Sequence, residues 1–111
     1  MYKRQLETHG LARQLPRNDP DWTAHCLDRM EKMVTRLKNH PGIIIWSLGN
    51  ESFTGDCFVR MRERTLALDD TRPIHYEPDN RFTASDFFSQ MYATVDKVRR
   101  IGEGKPVRRC V

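Results

Sequence analysis

Ile43-Ile44-Ile45-Trp46-Ser47-Leu48-Gly49-Asn50-Glu51-Ser52, residues 43–52, runs four large apolar side chains together and then gives way to a glycine, an amide, a carboxylate and a hydroxyl. The apolar part, Ile43 to Leu48, is short, β-branched at its start and without polar alternation. That pattern predicts a strand covered on both faces, as in a parallel sheet. In parallel α/β folds the chemistry gathers where strands end and loops begin at their carboxyl side. A carboxylate that follows so dry a segment is therefore a candidate functional group.

Outward from this stretch the chain alternates. Asn18-Asp19-Pro20 is a helix-start signal, with Asp19 able to cap and Pro20 suited to the first helical position. Trp22, Cys26, Met30, Met33, Val34 and Leu37 then recur at helical spacing, and His40-Pro41-Gly42 stops the helix. Beyond a Gly49–Gly55 loop, Phe58, Met61, Thr65, Leu66 and Leu68 predict a second amphipathic helix that ends near Asp69-Asp70-Thr71-Arg72-Pro73. Ile74 to Glu77 reads as a short strand, Phe87 to Tyr92 as one more, Val95 to Ile101 as a brief helix, and Pro106 to Cys110 as the start of a further strand. Strands alternating with helices imply βαβ units and a parallel sheet, either a barrel or a doubly wound sheet.

Composition narrows the function classes. The 111 residues hold one small domain or a piece of a larger one, with 38% apolar and 31% charged residues, an ordinary soluble balance. The net charge of +4 is spread along the chain among Asp and Glu, so no basic stripe marks a nucleic-acid partner. No segment approaches the roughly 20 apolar residues of a membrane helix, and the N-terminus lacks the apolar core of a secretory signal. Three cysteines, Cys26, Cys57 and Cys110, form no CxxC pair, which favours reduced thiols in a cytoplasmic protein.

Polar residues appear abruptly in three places: Glu7-Thr8-His9-Gly10, Gly49-Asn50-Glu51-Ser52 and His75-Tyr76-Glu77. Glu7 and His9, two apart, share a face of an extended backbone and are able to hold one cation or one substrate group. Each place also has a plainer reading. Glu77 in this reading caps a helix or accepts loop amides, and His75 within its strand is more often a hydrogen-bonded core histidine than a ligand. Two ligands alone are a weak metal motif.

Asn39-His40-Pro41-Gly42-Ile43-Ile44-Ile45-Trp46-Ser47-Leu48-Gly49-Asn50-Glu51-Ser52 resembles the acid/base signature of glycoside hydrolase family 2, and of its β-galactosidases in particular. Glu7-Thr8-His9-Gly10 resembles the family's upstream metal-binding segment, and Thr71-Arg72-Pro73-Ile74-His75-Tyr76-Glu77 and Met91-Tyr92-Ala93-Thr94-Val95-Asp96 resemble later segments in the right order. The resemblance implies an α/β fold that is part of a TIM (β/α)8 barrel: about four parallel strands with intervening helices, not closed, against the about 250 residues of a full barrel. It covers residues 6–107, leaving 1–5 and 108–111 as ends that diverge from the family.

The resemblance also implies roles. Glu51 is the general acid/base, Asn50 binds the sugar 2-hydroxyl, Tyr92 lies near the nucleophile, and Glu7, His9 and Glu51 hold Mg2+. The substrate is a terminal β-D-galactoside of the lactose type, and the intact parent is a homo-oligomer. An apolar wall from Trp46 and the isoleucines would raise the Glu51 carboxyl, while a nearby cation would lower it. Retaining glycosidases need a second carboxylate about 5–5.5 Å away as nucleophile. The family supplies it in a Cys-Glu-Tyr segment, and here Lys105-Pro106-Val107-Arg108-Arg109-Cys110-Val111 holds no such glutamate. Glu77 ends a different strand and Glu103 sits in a glycine loop, so neither is expected to replace it. The alternatives are a catalytically inert truncated fragment and a portion of a family 2 β-glucuronidase or β-mannosidase.

Overall fold

A computed structural model describes residues 19–50, 52, 55–77, 79 and 81–104. The elements run α1 (Pro20–Leu37), β1 (Trp46–Asn50), α2 (Asp56–Leu68), β2 (Ile74–Glu77) and α3 (Val95–Gly102). Among the described residues β1 and β2 form a two-stranded parallel sheet, with α2 as the crossover between them.

Helix α1 starts as its sequence dictates. The Asp19 carboxylate accepts the Asp21 N–H at 3.0 Å, and Pro20 opens the first turn, where its missing N–H costs nothing. Met30 and Val34 point into the core, joined by half-buried Cys26, Leu27, Met33 and Leu37. Helix α2 buries Cys57, Phe58, Met61 and Thr65 against them. Thr65, fully enclosed, donates its hydroxyl to the Met61 carbonyl at 2.8 Å and so stays satisfied inside an apolar contact. Phe58 stacks on Tyr76 of β2, with ring centroids 4.0 Å apart.

The two faces of the sheet are covered differently. Trp46 and Leu48 of β1 and Ile74 and Tyr76 of β2 are buried on the helix side. Ser47 and His75, opposite each other in register, lie on the other side. This corrects the expectation of a doubly covered strand at Ile43 to Leu48. Ile44 and Ile45 are 72% and 41% exposed, and β1 begins only at Trp46. The reason is the partner: Trp46 pairs with Ile74 and donates to the Pro73 carbonyl at 3.0 Å, and Pro73 has no N–H with which to extend the ladder.

The strand expected at Phe87 to Tyr92 does not form. Asp86 takes both ladder groups of Ile74, donating its N–H to the Ile74 carbonyl at 2.8 Å and accepting the Ile74 N–H at 2.7 Å, so the chain crosses β2 there without running alongside it. Tyr92 then turns the backbone with φ 56°. Of about four expected strands two are present among the described residues; those ending at Glu7–Gly10 and starting at Pro106 lie outside them.

The amino end of the sheet is closed by a polar clasp. The Asp69 carboxylate accepts the Trp46 indole N–H at 2.9 Å, the Thr71 N–H at 3.0 Å and the Thr71 hydroxyl at 2.6 Å, and pairs with Arg72. Arg72 also donates to the carbonyls of Ile43 and Lys38, each at 2.7 Å, and its guanidinium lies 5.6 Å from the Trp46 ring centroid. One arginine thus ties the end of α1, the approach to β1 and the turn into β2. These donors, the Thr71 hydroxyl foremost, hold the Asp69 carboxyl well below the usual carboxylate range.

Candidate functional site

At the carboxyl end of the sheet the register shifts. Ser47 pairs with His75 but Asn50 pairs with Glu77, so β1 spends two residues, Leu48 and Gly49, against Tyr76 alone. Such a bulge re-aims the side chains beyond it. Gly49 makes it at φ 132°, a conformation that L side chains rarely adopt. The result sets Asn50 beside Glu77 at the strand ends.

Ser52, just past β1, is held from two sides. The Ser52 hydroxyl donates to the Asn50 carbonyl at 3.1 Å, and the Ser52 N–H donates to the phenolic oxygen of Tyr76. Tyr76 has no exposed surface, and burial pushes its hydroxyl well above the ordinary tyrosine range, so it stays protonated. A core tyrosine on β2 therefore holds Ser52, two residues past the end of β1.

His75 is the satisfied histidine that its strand position suggests. Nδ1 lies 3.0 Å from the Ser47 hydroxyl and Nε2 lies 2.8 Å from that of Ser89. Glu77 is 8% exposed, and its Oε2 is buried with no hydrogen-bond partner among the described residues. The amides of the following loop go to Asp79, which accepts from Arg81 at 3.1 Å, Ala84 at 2.6 Å and Ser85 at 2.9 Å. Asp79 was legible only as part of a turn-forming Pro78-Asp79-Asn80 run. The buried donor-less oxygen of Glu77 had no sequence signal at all.

The other expected site residues divide into two groups. Asn50 is exposed at the end of β1 and Tyr92 is 93% exposed with φ 56°, an outlier for an aromatic residue. Glu7, His9 and Glu51 lie outside the described residues. Among the described residues no three His, Cys, Asp or Glu side chains are grouped to hold a metal ion, and no described helix is long and apolar enough to cross a membrane.

Comparison with known proteins agrees with a parallel α/β fold. The family described as glycosyl hydrolases family 2, TIM barrel domain, matches residues 2–106. Beta-galactosidase BgaC of Bifidobacterium adolescentis is 38% identical over 91% of this chain and 11% of its own length. The beta-galactosidase of Priestia megaterium is 40% identical over 95% of the chain and 12% of its own length, and that of Vibrio cholerae 47% identical over 83% and 9%. The chain thus spans about a tenth of the length of these relatives. With a family match across nearly all of its residues and a parallel βαβ unit as the fold, the chain belongs to glycosyl hydrolase family 2, within its TIM barrel domain.

Proposed function

We propose that this chain is the acid/base-carrying portion of a retaining β-galactosidase, with Glu51 as the group that protonates the glycosidic oxygen and then activates water. The observation that carries the reading is the β1 strand end. The 39–52 segment that resembles the family's acid/base signature runs through a parallel strand to Asn50 at its carboxyl terminus, with the next residue being Glu51. The names of the relatives support galactosides as the substrate class.

In this reading Asn50 donates to the sugar 2-hydroxyl, a contact that strengthens in the transition state. Tyr92 presents its phenol near the nucleophile position from a strained turn. Glu7, His9 and Glu51 would hold Mg2+; two carboxylates and an imidazole with several waters suit that ion, whose charge favours the ionised form of Glu51. The nucleophile is not supplied by these residues, so the chain by itself is inert.

The test has two arms. The purified chain is expected to release no nitrophenol from a nitrophenyl β-galactoside. Residues 6–107 grafted in place of the matching segment of the Bifidobacterium adolescentis relative are expected to give hydrolysis that Glu51→Gln lowers by about 10²–10⁴-fold. Turnover by the chain alone, or a graft indifferent to Glu51→Gln, would overturn the assignment.

A further inference from the structure

The chain that leaves the carboxyl end of β2 holds an aromatic ring against two costs at once. Phe82 is 55% exposed and its backbone sits at φ 55°, a genuine outlier for a bulky residue. Neither burial nor a relaxed backbone accounts for it. The turn is nonetheless tightly fixed. Asp79, itself 1% exposed, accepts the N–H groups of Arg81, Ala84 and Ser85 and, at 3.3 Å, the Thr83 hydroxyl, so one carboxylate ties the residues on both sides of Phe82. Ala84 and Ser85, each 2% exposed, anchor the far end of the turn in the core. A strained conformation persists only where its surroundings over-determine it, and such positions gather at ligand clamps.

Beside the ring stands a set of donors. The Phe82 centroid lies 6.5 Å from that of half-buried Phe88, with the ring planes at 42°. Lys97, in the first turn of α3, places its ammonium 5.5 Å from the Phe88 centroid and donates to the side-chain oxygen of exposed Gln90. An ammonium has three N–H donors and a primary amide two, so among the described residues Lys97 keeps two donors unused and Gln90 keeps both of its own.

We propose that Phe82, Phe88, Gln90 and Lys97 form a carbohydrate-binding patch, on which a pyranose lies with one C–H face on the Phe82 ring and its oxygens on the Gln90 and Lys97 donors. An aromatic face carries partial negative charge and draws polarised C–H groups, while the flanking groups offer N–H donors that hydroxyl and ring oxygens accept. A wholly apolar ligand would strip water from the ammonium and the amide and return no hydrogen bond. The placement agrees, because ligands of parallel α/β folds gather on the carboxyl side of the sheet, where this turn emerges. The choice of sugar rests on the galactosidase reading. The patch uses none of the residues assigned there to the reaction.

Saturation-transfer NMR on the purified chain tests this with methyl β-D-galactopyranoside and lactose as probes, since it detects weak binding from the ligand side. Transfer to the sugar C–H protons is expected, with a dissociation constant on the order of 10 mM. Phe82→Gly removes the ring and also relieves the backbone, so it should fold at least as well as the parent and weaken binding about tenfold. Phe82→Trp should keep the binding, and Lys97→Met should weaken it. Glu51→Gln should leave it unchanged, which separates this inference from the assignment of the acid/base. Absence of transfer to both sugars, transfer that survives Phe82→Gly, or equal transfer to cyclohexanol would overturn the patch. Transfer lost in Glu51→Gln but kept in Phe82→Gly would overturn it as well, and would place the sugar at the proposed reaction centre instead.

Discussion

Asp69 shows how one side chain can govern a fold's response to pH. Its carboxylate joins β1, β2 and the approach from α1 through Trp46, Thr71 and Arg72, and these partners require it to be ionised. The folded-state value is depressed, so the stabilisation is fully present above the unfolded value of about 4 and is lost as pH falls through the folded value. Asp69→Asn should therefore be less stable than the parent near neutrality, and the gap should close as urea denaturation is repeated from about pH 6 down to about pH 2. A gap independent of pH would mean that the ionised form has no part in the clasp. Tyr92 offers the opposite experiment. Its ring is 93% exposed and its backbone sits at φ 56°, so it carries a conformational cost with no packing in return. Tyr92→Gly should raise stability by up to about 1 kcal/mol, while Tyr92→Ala, which keeps the same φ, should change it by less than about 0.5 kcal/mol. Equal denaturation midpoints for the two variants would remove the strain from the account.

The elements differ in how firmly the core holds them. Helices α1 and α2 interlock through Met30, Val34, Cys57, Phe58, Met61 and Thr65, but α3 has no buried residue in its eight. Its start is capped by the Thr94 hydroxyl, which accepts the Lys97 N–H at 3.3 Å. A short helix without a buried face is marginal in water. Thr94→Ala should cost α3 about 1 kcal/mol and leave the global unfolding midpoint unchanged, with hydrogen exchange showing the loss only between residues 95 and 102. A matching fall in global stability would place α3 within the cooperative unit. The same contrast explains which elements were readable from sequence. Asp19-Pro20, the Met and Val spacing, and the proline-bounded Ile74–Glu77 strand carry local signals strong enough to fix α1, α2 and β2 closely. The start of β1 was not local: Ile43 to Ile45 are good strand formers left unpaired because Pro73 ends the partner ladder. Phe87 to Tyr92 failed for a similar reason, since Asp86 had already taken the polar groups of Ile74. The site was legible as a motif at a strand end, but the bulge at Leu48-Gly49 and the unpartnered Glu77 oxygen arise from pairing between segments far apart in the chain.

At the scale of the whole molecule the decisive feature is a sheet with one partner per strand. Among the described residues β1 pairs only with β2, and on the far side of β2 Asp86 takes the N–H and carbonyl of Ile74, so the outer edge of β1 is the one with no described strand beside it. Ile44 and Ile45 extend the apolar surface at the entry to β1, where they stand 72% and 41% exposed. A barrel abolishes such edges by closure, and an isolated βαβ unit leaves them free to pair with another copy. Self-association is the expected outcome, with light scattering and sedimentation showing species that grow with concentration. Ile44→Lys should oppose it, because a lysine at the approach to an edge strand adds charge where two copies would meet, while Ile44 contributes nothing to the buried core. The double variant Ile44→Lys, Ile45→Lys should go further, shifting the chain towards monomer at a concentration where the parent is associated. If the parent is instead a monodisperse monomer with a sharp, reversible melting transition, the two strands and two helices are a self-contained domain and the edge account fails.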